Sequence, residues 1–183
     1  MKMTQLPIAG SAVVDVEPFV DSRGIFSRWF CQKELESLIG SRQIVNVNFS
    51  RTEQSGAVRG MHFQYPPKAE MKMVRCLHGK VFDVMVDLRK DSPTFLQWHG
   101  EELSPENMRM LVIPEGVSHG FQALEKASEM LYLHTEFYSP EQDGGIRYND
   151  PHVGIDWPLP VTDVSEKDQI HPLIGDSFKG ICL

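Results

Sequence analysis

Apolar and polar residues alternate with a period of two over much of this chain. Phe82, Val84, Val86 and Leu88 interleave with Val81, Asp83, Met85 and Asp87, which predicts a strand with one face in a core. Val45, Val47 and Phe49 alternate with Asn46, Asn48 and Ser50, so a second strand is expected to bury its apolar side and offer amides on the other. Val13–Val16 and Leu111–Pro114 read as further strands. From Glu129 to Tyr138 one strand face would carry Met130, Tyr132, His134, Glu136 and Tyr138, with Leu131, Leu133 and Phe137 on the other. Two tyrosines with a histidine and a glutamate between them suit the wall of a wet cavity better than a core. Helical spacing is confined to about Gln32–Ile39, where Leu35, Leu38 and Ile39 recur and Gly40 supplies a stop. Twelve prolines and fourteen glycines spread along the chain separate short strands. The pattern predicts an all-β sandwich or barrel with a few short helices.

A length of 183 residues suits one domain, and 41% hydrophobic residues are enough to build its core. A net charge of −7 argues against nucleic-acid or membrane-surface binding, which calls for a basic footprint. Cys31, Cys76 and Cys182 are too few and too scattered for a disulfide scaffold or a CxxC metal site, and they favour a reducing compartment. No apolar leader or membrane-length segment is visible, so a cytoplasmic location is expected.

The candidate chemistry is concentrated in Arg59-Gly-Met-His-Phe-Gln64, Lys72 and Pro114-Glu-Gly-Val-Ser-His119. Arg59 and His62 would face opposite sides of a regular strand, but Gly60 marks a bulge that can bring both to one side. An arginine and a histidine gathered there suit a phosphorylated ligand. Lys72, aimed into a partly dry cavity, would stabilise a developing oxyanion. The Pro-x-Gly-x-x-His run ending at His119 resembles the second motif of cupin barrels, where the histidine binds metal. The first cupin motif is reduced here to His62 with Gln64, and Lys72 would repel a divalent ion, so the reading is a cupin-like barrel using neither metal nor cofactor. His78 and His134 read as surface or packing residues. Ser165-Glu-Lys-Asp168 has the form of a capping box or a turn, and an aspartate that held His62 would fix its tautomer.

Together with Asp21-Ser-Arg-Gly24, Gly79–Arg89, Ser92-Pro-Thr-Phe95, Tyr132 and Asn149-Asp-Pro151, these segments resemble the dTDP-4-dehydrorhamnose 3,5-epimerases from about Val16 to Asp168. The resemblance implies a cupin-type jelly roll over residues 1–183. It also implies a homodimer with exchanged N-terminal strands, a C-terminal tail packed on the barrel, no metal, and a nucleotide-activated 4-keto-6-deoxyhexose as substrate. It makes His62 the base, Asp168 its partner, Lys72 the group at the 4-keto oxygen and Tyr132 the acid on the opposite face. Arg59 and His119 would surround the diphosphate and sugar, with Gln64 among the binding residues and Tyr138 shaping the pocket wall. Arg23 and Phe26 would reach the nucleotide of a neighbouring subunit. Two departures stand out: Arg28 where the family usually has glutamate near the base, and Asn46-Val-Asn48 where it usually reads Gln-Asp-Asn. A donor near the base raises CDP as an alternative to dTDP, alongside epimerisation at one carbon rather than two. A non-catalytic sugar-binding cupin is the rival from another class.

Overall fold

The computed structural model describes residues 1–183. Its strands are β1 Lys2–Gln5, β2 Ala12–Asp15, β3 Phe19–Asp21, β4 Gly24–Phe26 and β5 Asn46–Thr52. They continue with β6 Val58–Gln64, β7 Lys72–His78, β8 Val81–Asp87 and β9 Trp98–Leu103. The last four are β10 Met110–Ile113, β11 Val117–Ala123, β12 Ser128–His134 and β13 Asp143–Gly145. Two short helices complete the chain, α1 Glu36–Ile39 and α2 Glu166–Ile170. One sheet has six strands in the order β1-β2-β10-β7-β12-β5, the other five in the order β13-β6-β11-β8-β9, and β3-β4 form a separate hairpin. This is the expected all-β jelly roll.

The two sheets enclose a core that includes Val13, Val74, Met85, Leu111, Phe121 and Met130. Part of each outer face is covered as well. The N-terminal segment and α1 bring Leu35 and Ile39 onto Met73 and Val112 of the six-stranded sheet. The C-terminal segment brings Val153, Ile174 and Ile181 onto Val84, Val86 and Leu88 of the other. The second cover explains why β8 is buried on both faces, where its alternation had suggested only one. The reverse correction applies to β5. Val47 and Phe49 are 61% and 58% exposed, because β5 is the edge of its sheet and nothing in the chain covers that side. Helix α1 keeps the Leu35/Ile39 contacts but is a single turn, since so short a helix holds only where packing supports it.

The aspartates of β8 point inward and need partners. Asp87 is fully buried and accepts hydrogen bonds from Arg89, Ser92 and Thr94, which fix the loop after β8. Burial alone would raise its carboxyl, but these donors outweigh it and hold the pKa down to about 2. A folded pKa below the unfolded one stabilises the protein above pH 4 or so, and that contribution fades as pH falls towards 2. Asp87→Asn should therefore cost about 2 kcal/mol at neutral pH. Urea melts across pH should find the gap to the parent closing below pH 4 or so.

Candidate active site

A cleft of about 600 Å³ opens between the sheets beside β5, and its lining includes Asn48, Arg59, His62, Lys72, His119, Tyr132, His134 and Asp168. Gly60 lets β6 contribute two residues to it. Its φ of 115° lies where side chains rarely go, and a Cβ there would stand 2.7 Å from Gly120 Cα and from the His119 carbonyl. The β6–β11 register shifts between His119 and Phe121, so His62 pairs with His119 and Arg59 with Phe121. Arg59 and His62 consequently both line the cleft, as the bulge reading required. Arg59 is braced by β5, its Nε donating to Thr52 Oγ1 at 2.9 Å and its Nη2 to the Arg51 carbonyl at 3.1 Å.

His62 Nε2 lies 2.6 Å from Asp168 Oδ1. Asp168 reaches there because Ser165 caps α2, accepting from the Asp168 N–H at 3.1 Å, which resolves the Ser165–Asp168 segment as a cap. The other carboxylate oxygen accepts from the Gly60 N–H at 3.1 Å. Burial pushes the Asp168 carboxyl up, but the His62 and Gly60 hydrogen bonds prevail and keep it below the ordinary range. An ionised carboxylate only accepts, so His62 carries its proton on Nε2 and leaves Nδ1 with a free lone pair.

Lys72 and His134 are cross-strand partners on β7 and β12. Lys72 Nζ lies 3.2 Å from Glu70 Oε1 and donates to the His62 carbonyl at 3.3 Å. Glu70 also meets His134 Nδ1 at 2.8 Å. Desolvation raises the Glu70 carboxyl, but His134 and Lys72 more than offset it, so it stays below its usual value. Tyr132 OH sits 2.8 Å from Ser50 Oγ, and burial drives its phenol well above the usual tyrosine range, which keeps its proton on. His119 Nε2 is 2.9 Å from Asp83 Oδ1, a carboxyl raised by complete burial and only partly relieved by the imidazole.

The sequence reading missed Glu70 and His134; the period-two face of β12 contained the signal for His134. Other expected residues lie elsewhere. Gln64 is buried in a structural role, donating to the Lys68 and Phe137 carbonyls and accepting from the Ser139 N–H. Strand β12 ends at His134, so Tyr138 leaves that face; it is 60% exposed and donates to Asp143 at 3.3 Å. Asn46 starts β5 outside the cleft. Arg23 and Phe26 belong to the protruding β3-β4 hairpin, and Arg28 pairs with Glu34 at 2.6 Å, so none of the three enters the cleft of its own chain.

A jelly roll whose cleft combines a His–Asp pair, a buried cation and a protonated tyrosine holds the groups that an isomerase working by proton transfer needs. The dTDP-4-dehydrorhamnose 3,5-epimerase family matches residues 5–176. The dTDP-4-dehydrorhamnose 3,5-epimerase of Salmonella typhimurium is 44% identical over 168 residues, covering 91% of each chain. The Bacillus anthracis enzyme, solved with TDP and pyrophosphate bound, superimposes with a TM-score of 0.91 at 39% identity, over 94% of this chain and 99% of the other. The Legionella pneumophila enzyme, in complex with dTDP-4-keto-L-rhamnose, gives 0.88 at 40% identity, over 94% and 92%. This chain belongs to the dTDP-4-dehydrorhamnose 3,5-epimerase family. The comparison supports dTDP over CDP, and the argument for CDP loses its footing with Arg28 tied to Glu34.

Proposed function

We propose that this protein inverts carbons 3 and 5 of a dTDP-linked 4-keto-6-deoxyhexose by removing and returning protons next to the ketone. The observation that carries the reading is the 2.6 Å His62–Asp168 contact in a cleft that also holds Lys72 and Tyr132. Protons on the carbons flanking a ketone are acidic because the carbanion delocalises onto the oxygen. His62 Nδ1 removes the proton, and Asp168 stabilises the imidazolium that results. Lys72 meets the enolate oxygen as charge builds there. Tyr132 returns a proton to the opposite face. Arg59 and His119 engage the diphosphate and sugar, and Asn48 lies on the β5 wall of the same cleft. Seen this way, the chemistry comes entirely from side chains.

Proton NMR in deuterium oxide with dTDP-4-keto-6-deoxyglucose, and separately its CDP counterpart, tests the reading. Deuterium is expected at carbons 3 and 5 with the dTDP substrate. Label at one carbon alone would make it a single-site epimerase; none with either sugar would leave a binding protein.

The same reading takes the protein as a cytoplasmic homodimer of one jelly-roll domain, with the hairpin of one subunit covering the cleft of the other. No helix is long and apolar enough to cross a membrane, and all three cysteines are free. Phe19, Val20, Ile25 and Phe26 are 60–72% exposed on the hairpin, and the β5 edge exposes Val47 and Phe49. So much uncovered apolar surface near a cleft favours a partner. Arg23 and Phe26 would then serve the neighbouring nucleotide. Light scattering should give twice the chain mass of 20.8 kDa. Phe49→Glu should yield monomers with weakened dTDP binding; a monomeric parent would end the dimer reading.

A further inference from the structure

Behind the His62–Asp168 pair stands a second imidazole with no assigned use. His171 follows α2, and its ring meets that of His62 edge-on, with centroids 6.0 Å apart and planes at 70°. Its Nε2 lies 4.0 Å from Asp168 Oδ1, the oxygen that His62 also contacts. That nitrogen is shut off from solvent and has no hydrogen-bond partner. A buried, unpaired ring nitrogen is costly unless something completes it. The ring is also firmly seated. A Cβ on Gly145 would stand 2.4 Å from His171 Nε2, so only glycine leaves room, and Arg147 Nε donates to the His171 carbonyl at 2.6 Å.

We propose that His62 Nε2, Asp168 Oδ1 and His171 Nε2 form an inhibitory site for a borderline-soft divalent cation such as Zn²⁺. One ligand atom from each of the three residues lies within 4.8 Å of the other two. A zinc ion takes imidazole nitrogen and carboxylate oxygen at about 2.0–2.2 Å, which sets tetrahedral ligand atoms roughly 3.3 Å apart. The observed 2.6 Å and 4.0 Å separations straddle that figure, so the adjustment falls to His62 and Asp168 while the His171 ring stays in place. His62 is the most exposed of the three, its side chain 36% accessible, so the ion enters from the cleft, where water fills the fourth position. The nearby cations are already countered, Lys72 by Glu70 and Lys167 by Asp143. The site is separate from His119, which sits on Asp83.

Binding also explains the inhibition. A metal on His62 Nε2 moves the ring proton to Nδ1 and removes the lone pair that takes the substrate's proton. The inhibition rests on the role proposed for His62; the binding does not. Calorimetry with ZnCl₂ on the full-length protein, in parallel with the deuterium-exchange assay, tests both. One Zn²⁺ per chain is expected, with activity falling as the site fills and returning on addition of EDTA. His171→Gln should weaken zinc binding roughly tenfold or more, each factor of ten being about 1.4 kcal/mol. Because that change also disturbs packing on Gly145, side-chain imidazole NMR of the unaltered protein gives a second reading. Zinc should shift the His62 and His171 resonances and spare the other five of the seven histidines. Absence of binding, equal affinity in His171→Gln, or shifts at other histidines would overturn the site. Binding that depends on His171 without loss of activity would keep the site and overturn His62 as the base.

Discussion

His62→Ala is expected to slow deuterium incorporation at both sugar carbons by roughly 10²–10⁴-fold, the usual contribution of a positioned general base. Binding of dTDP should hardly change, because Arg59, braced by Thr52 and the Arg51 carbonyl, does not depend on His62. Asp168 keeps its Gly60 hydrogen bond in the variant but loses the contact that most strongly offsets its burial. Its folded pKa should rise towards the unfolded value. The stabilisation that a depressed carboxyl provides above the unfolded pKa, and loses as pH falls, should shrink accordingly. Exchange NMR and dTDP calorimetry on the same sample check the two halves; joint loss of exchange and binding would contradict the assigned role.

Lys72→Met should lower turnover by roughly 10²–10³-fold, the scale seen when a preorganised donor to an oxyanion is removed. Its effect on stability has a separate origin. Glu70, its side chain only 8% exposed and held by Lys72 and His134, would keep only the histidine, and an under-compensated carboxylate so covered is costly. Adding Glu70→Gln to Lys72→Met should therefore recover much of the thermal midpoint without restoring turnover. If the double variant regained activity as well, Lys72 would be acting through packing rather than by facing the enolate. Thermal melts and single-turnover exchange on the parent, the single and the double variants separate these outcomes.

Much of this site was legible in the chain. Gly60 beside Arg59 and His62 announced a bulge, and its left-handed φ and contact with Gly120 are what bring both side chains to one cleft. Lys72 and Tyr132 were readable because a cation or a tyrosine in a period-two segment must be stabilised by something. Ser165 and Asp168 carried a capping signature, though not the target of the aspartate. The misreadings have different sources. Tyr138 was placed on the assumption that the strand stays regular, whereas β12 ends at His134; Gln64 was placed by its motif, whereas its amide closes the loops around Lys68 and Ser139. Val47 and Phe49 look like core residues by period alone, but whether an edge strand is covered depends on other segments.

Taken alone, then, the sequence determined the fold class, the strand periodicity and the bulge, and it singled out several polar residues that the structure gathers in one cleft, because each follows from local sterics or from a residue type unsuited to a core. Tertiary structure alone decided the 2.6 Å geometry by which Asp168, implied by the resemblance, meets His62 across 106 residues, that Glu70 joins Lys72 to His134, that β8 is buried on both faces, and that His171 Nε2 stands unpaired beside Asp168. Those facts depend on which distant segments pack together. Alternation along a strand says which side chains share a face, but not what the rest of the chain lays against it.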